Sequence, residues 1–175
     1  MPGFNLIDSG LATYNFVQIQ FQPATNASDI IMIGGFGGQT KFRYIEVSGT
    51  GTAAQRVASM IRRSTKSTGG TSTNPVPSKA DSSDQPSQNQ VTLWTVNPGA
   101  LGTTVATVDG STFTMVASTA IQDRAIFQYE YQTSKPITLN GGIADFLCIN
   151  MATAIAAAQT ASTDRIDFDV WWTER

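Results

Sequence analysis

The chain of 175 residues is long enough for one domain that buries roughly 70% of its unfolded surface without disulfides or metals. Its apolar share of 41% is ordinary, but charged residues make up only 14%, well below the roughly 25% of soluble domains, and neutral hydroxyl and amide side chains take their place. A net charge of −2 and eleven scattered Lys and Arg argue against a nucleic-acid partner, and the lack of histidine removes the usual general base and the commonest zinc ligand.

We therefore expect no catalytic residue, no cofactor and no metal, and a surface suited to packing against copies or other proteins. The opening "MPGFNLIDSG" has neither the basic start nor the apolar core of a signal peptide, and no run is long enough to span a bilayer. A protein made in the cytoplasm, with no membrane partner, is expected; the glycosylation pattern at Asn26 then has no consequence.

From Tyr14 to Gln22, Val17, Ile19 and Phe21 alternate with Gln18, Gln20 and Gln22, which predicts a half-buried strand ended by Pro23. "DIIMI", Asp29 to Ile33, predicts a more fully buried strand. "GGFGG", Gly34 to Gly38, is followed by strand-like sequence and lacks the helix that a phosphate loop requires, so it reads as a tight connection. Lys41 to Gly49 follows as a strand, with Phe42 and Tyr44 on one side and Ile45 and Val47 on the other. "AAQRVASMIRRS" fits both periods: Ala54, Val57, Ala58 and Ile61 have helical spacing, while Val57 and Ile61 share a strand face opposite Arg56, Met60 and Arg62. Propensity alone tips it toward helix.

A long polar stretch then runs from about 64 to 90. Arg62, Arg63 and Lys66 at its start read as a solvated strand end or partner contact. "STGGTST", Ser67 to Thr73, offers amides and hydroxyls but no following helix, and Pro75 and Pro77 hold the chain extended. Asp81 and Asp84 with Ser82 and Ser83 lack the spacing of a calcium loop and read as solvated acids. Because a stretch of this length inside one domain is usually functional or disordered, and its Gly, Pro and Asx residues specify turns, we expect an ordered excursion that contacts a neighbour.

Strands are predicted at "QVTLWTV", "TTVATVDG" and "STFTMVAS", the last two joined by a type I′ hairpin at Asp109-Gly110. "RAIFQYEYQ" places Ala125, Phe127, Tyr129 and Tyr131 opposite Ile126, Gln128 and Glu130. "PITLNGG" and "IADFLCINM" flank a turn at Asn140 to Gly142, and Cys148 in the latter reads as a buried, inert thiol. Met151 to Thr163 reads as a loop with at most one or two helical turns. In "RIDFDVWWTER" Ile166, Phe168, Val170 and Trp172 point inward against Asp167, Asp169 and Trp171. The two aspartates read as surface residues in preference to a glycosidase pair. Trp94 is out of phase with Val91 and Leu93. An outward Trp171 serves a subunit contact, a carbohydrate platform or a loop, and we rank the contact first. The whole predicts one all-β domain over 1–175, an antiparallel β-sandwich of about nine or ten short strands.

Several spaced landmarks resemble small structural proteins of tailed bacteriophages: Arg63-Ser64-Thr65, Thr68 to Thr73, Pro75 to Asp81, Trp94 to Pro98, and Trp172-Thr173-Glu174. The resemblance covers Lys41 to Glu174. It implies a jelly-roll-like virion component of the capsid decoration or cement type, commonly a trimer, with the major capsid protein or other virion proteins as partners. It also implies that "AAQRVASMIRRS" is a strand, which we adopt. The alternative is a receptor- or glycan-binding module of a tail fibre or spike.

Overall fold

Alternation of apolar and polar side chains becomes strand along most of the described residues. The structure, a computed structural model, describes residues 13–21, 29–51, 54–115, 123–129, 135–140, 142–151 and 165–175. Asn26, the tract 152–163, Glu130, Tyr131 and the side chains of Ile19 and Phe21 lie outside that description. The strands are β1 (Thr13–Phe21), β2 (Asp29–Gly34), β3 (Thr40–Thr50), β4 (Ala54–Arg63), β5 (Thr71–Thr73), β6 (Ser78–Lys79), β7 (Gln90–Val96), β8 (Thr104–Met115), β9 (Arg124–Gln128), β10 (Thr138–Leu139), β11 (Phe146–Asn150) and β12 (Arg165–Glu174). That is twelve among the described residues rather than nine or ten, because β5 and β6 lie in the polar stretch, where no alternation signals them.

Two antiparallel sheets pack face to face. One has the order β10-β3-β12-β1-β6, with β9 also paired to β3; the other runs β5-β7-β2-β11-β4-β8. The pairs β1·β12, β2·β11, β3·β9 and β4·β8 are nested in sequence. The chain is thus a long antiparallel hairpin rolled into two layers, and the rolling brings β3 beside β12 and β4 beside β11. This nesting defines a jelly roll.

The main core lies between the sheets and includes Phe42, Ile45, Val47, Phe168, Val170 and Trp172 from one, and Ile31, Met60, Val91 and Phe113 from the other. A second cluster of Met32, Trp94, Phe146 and Cys148 holds the residues out of phase with that core. β2 and β11 are consequently buried at every position. Trp94 is therefore buried as well, in a cluster separate from that of Val91 and Leu93.

Three local expectations change. Tyr44 does not share a face with Phe42: β12 residues Trp171 and Trp172 pair with Tyr44 and Phe42, leaving Arg43 as a bulge that reverses the phase. Along β4 the residues in the main core are Ala58 and Met60, while Val57 and Ile61 are half-buried. Asp109-Gly110 is not a hairpin. β8 runs straight through it, because all of β8 pairs with the long β4 and its far end supplies Phe113 and Met115 to the core. Gly110 has no positive φ, which a type I′ turn requires. Register shifts instead leave Val108 and Val105 as extra residues, so the Asp-Gly step flanks a bulge. The Asp109 carboxylate accepts hydrogen bonds from the Gly110 N–H at 2.8 Å and the Tyr129 hydroxyl at 2.7 Å.

Candidate functional site

The three cations at the head of the polar stretch all have internal partners. Arg62 donates to both carboxylate oxygens of Asp145, at 2.8 and 2.6 Å. Arg63 is buried and donates to Asp29 Oδ1, the Gly102 carbonyl and Thr104 Oγ1, each at 2.7 Å. Lys66 Nζ donates to Gln90 Oε1 at 2.9 Å. Asp29 also accepts from Ser67 Oγ and from Asn150 Nδ2. Burial pushes its carboxyl upward, yet the bonds from Arg63, Ser67 and Asn150 outweigh this and hold it below the usual carboxylate range. The Cys148 thiol is pushed far up by burial and by the neighbouring Asp29 charge, so it stays protonated.

The polar stretch is bonded along its length to both sheets. Ser64 N–H donates to the Thr103 carbonyl, and Thr68 and Ala100 exchange both backbone bonds, at 2.9 and 3.1 Å. Gly69 and Gly70 adopt left-handed φ of 79° and 70°, and the Gly69 carbonyl accepts from Trp94 Nε1 at 3.1 Å. A Cβ at Gly70 would stand 2.3 Å from the Asn97 carbonyl, so a chain crossing, not a phosphate cradle, sets the double glycine. β5 then joins the edge of one sheet and β6 the edge of the other. Asp81 to Asp84 forms a turn in which Asp81 Oδ1 accepts from the Ser83 N–H and hydroxyl. Lys79 Nζ donates to the carbonyls of Ser82 and Asp84, both at 2.9 Å. The Lys79 ammonium therefore gathers this turn. Among the described residues no group of three or more His, Cys, Asp or Glu is placed to hold a metal.

The stretch ends at Glu174, buried in the last strand. Its carboxylate accepts from Trp172 Nε1 at 2.7 Å, Gln88 N–H at 2.8 Å, Asn89 Nδ2 at 2.7 Å, and the Ser87 hydroxyl. The landmarks Arg63, Gly69-Gly70, Trp94 and Glu174 are thus the posts that fix the polar stretch to the sandwich. "GGFGG" is the β2–β3 connection; Gly38 lies so close to the Arg175 carbonyl that a Cβ would come within 2.5 Å of it.

Two surfaces remain open. On the outer face of the β1-containing sheet, Phe16, Trp171, Tyr44 and Gln128 form one cross-strand row. The rings of Phe16 and Trp171 stack at 4.5 Å with an interplanar angle of 16°. The next row is Gln18, Asp169, Glu46 and Ile126. Partial burial raises the Asp169 carboxyl above its ordinary range, bonds from Gln18 and Trp171 oppose this, and Glu46 adds to it. Glu46 itself accepts from Tyr44 and, at 3.0 Å, from Arg124. Burial and the Glu46 carboxylate push the Tyr44 hydroxyl up to about 12. In the sequence Tyr44 falls on the Phe42 face and Phe16 is not singled out, although Phe16 alternates with Val17 just as Trp171 does with Trp172.

The second is a segment of sequence with exposed apolar side chains at both edges of the other sheet. Val96, Leu101, Val105 and Val108 are 51%, 49%, 56% and 42% exposed. They lie within residues 85–108, which contain no charged side chain. β8 is an edge strand, and its two bulges interrupt the regular row of groups that another strand would pair with. The side chains, rather than the backbone edge, are what this region presents. Among the described residues no helix is long and apolar enough to cross a membrane. Comparisons with models of known families, with curated proteins and with solved structures give no match.

Proposed function

We propose that this chain is a structural protein of a tailed-bacteriophage virion that decorates or cements the capsid through protein–protein contacts. It works as a homo-oligomer, commonly a trimer in the family it resembles, and performs no catalysis. The observation that carries this reading is the uncharged band from 85 to 108 with its four exposed large apolar side chains. Several large apolar side chains left exposed in one uncharged segment favour association, and depletion of charge is the compositional signature of interface cores. The groups best suited to chemistry support it too: Arg63, Asp29, Lys79 and Glu174 are committed to holding the fold.

The test is cosedimentation with purified capsid shells, with mass photometry of the free protein. We expect an oligomer that binds shells, and loss of binding in Leu101→Asp/Val105→Asp with unchanged circular dichroism. A strictly monomeric chain that does not bind shells overturns the proposal. Immunogold label confined to the tail tip would favour the receptor-binding alternative.

A further inference from the structure

The large apolar side chain most exposed among the described residues is neither in the band nor on a sheet. Val76 is 86% exposed, at the tip of Asn74-Pro75-Val76-Pro77. The prolines on either side are half-buried. The tip is clamped on one side by β5, paired to β7, and on the other by β6, paired to β1. Two prolines fix their own φ and bias the residues before them to extended conformation. This is a short stiff finger whose ordering cost is already met, the condition under which a single apolar side chain contributes most to binding.

Polyproline-like segments are received by aromatic-lined grooves. The Phe16–Trp171–Tyr44 row is an aromatic strip on a sheet face, of the residue type that lines such grooves, and its neighbourhood is specific. Ser78, two residues from Val76, is registered opposite Phe16, so the finger rises at the edge of the sheet that carries the row. Three strands set the row's length at about 10 Å, from a spacing of about 4.8 Å. Four residues of extended chain at about 3.1 Å each match it. Charge narrows the occupant further. Asp169 and Glu46 flank the row on one side, with Glu46 bridged by Arg124, and Lys41 stands on the other side, so charges of both signs border a row that itself suits a neutral partner. The finger from Thr71 to Ser78 carries no charge.

We propose that the finger Asn74–Pro77 of one copy docks on the Phe16–Trp171–Tyr44 row of a second copy of this chain. One finger cannot supply the roughly 800 Å² per partner of a stable interface, so each copy both gives and receives a finger in a closed assembly. This names the self-contact of the oligomer proposed above and rests on that reading.

The test places the photo-crosslinker p-benzoylphenylalanine at position 76 and maps the crosslinked peptides, with sedimentation velocity on Val76→Asp and Trp171→Ala. Position 76 is exposed, so Val76→Asp keeps the fold; circular dichroism checks Trp171→Ala. We expect inter-copy crosslinks to 13–21, 40–50 or 165–175, and a dissociation constant at least about tenfold weaker in each variant, a change of about 1.4 kcal/mol. A wild-type chain that stays monomeric, an oligomer indifferent to Val76→Asp, or crosslinks to other regions overturns the inference. If wild-type protein binds capsid shells but crosslinks only to the shell protein, the inference fails and the capsid reading stands. If it neither self-associates nor binds shells, both fail.

Discussion

The buried pair of Arg63 and Asp29 gives the most demanding test of how the polar stretch is held. Their side chains retain 3% and 0% exposure, and the same guanidinium also holds the Gly102 carbonyl and the Thr104 hydroxyl. Arg63→Met keeps much of the side-chain volume but leaves Asp29 as a buried charge to which Ser67 and Asn150 still donate. Removing one member of a buried pair costs about 3–5 kcal/mol, a large part of the about 5–15 kcal/mol that holds a domain folded. The surviving donors place the loss near the lower end, about 3 kcal/mol. The double variant Arg63→Met/Asp29→Asn removes both charges and should lose less than the sum of the two single variants, by more than about 1 kcal/mol. Urea unfolding followed by tryptophan fluorescence measures all four corners of the cycle. A loss under about 1 kcal/mol for Arg63→Met, or strict additivity, refutes the reasoning. The pH dependence has a definite sign. Because the folded Asp29 carboxyl lies below its ordinary 3.8, its contribution is complete above that value and fades as pH falls through the lower, folded one.

Gly102→Ala should cost about 2 kcal/mol or more by thermal unfolding, since the added Cβ would lie 1.9 Å from the Thr65 carbonyl oxygen, while Gly99→Ala, with open space around it, should be close to neutral. Glu174→Gln replaces one acceptor oxygen by a donor, so amide exchange at Gln88, which donates to Glu174 Oε2, should accelerate well before global unfolding. Unchanged exchange there would contradict the pinning role. Asp169→Asn should leave stability at neutral pH unchanged or higher. The folded carboxyl is raised, so its charged form opposes folding at neutral pH, and the penalty disappears as pH falls below the ordinary value of 3.8. A marked loss of stability at pH 7 would show that the carboxylate is needed where it stands.

The candidate surfaces were only partly legible. Trp171 stood out because alternation placed an aromatic among aspartates. Phe16 and Tyr44 join it only through the register of β1, β12 and β3, and the Tyr44 phase is set by the bulge at Arg43. Val76 was written between two prolines, but its exposure depends on β5 and β6, three and two residues long, which composition does not signal.

Period-two alternation is a local property, so the sequence alone determined that the chain is all-β and which faces of β9 and β12 turn inward. Low charge and absent histidine likewise set the character of the surface. Only tertiary structure decided where pairing overrode local preference. Asp109-Gly110 could have turned the chain, but an unbroken partner strand and a core awaiting Phe113 and Met115 held it extended. The polar stretch is the converse case. Its own residues are too polar to fold alone, and it acquires a fixed path because Asp29, Trp94 and Glu174 supply hydrogen-bond partners to it, with Ser67 and Asn89 buried at those posts.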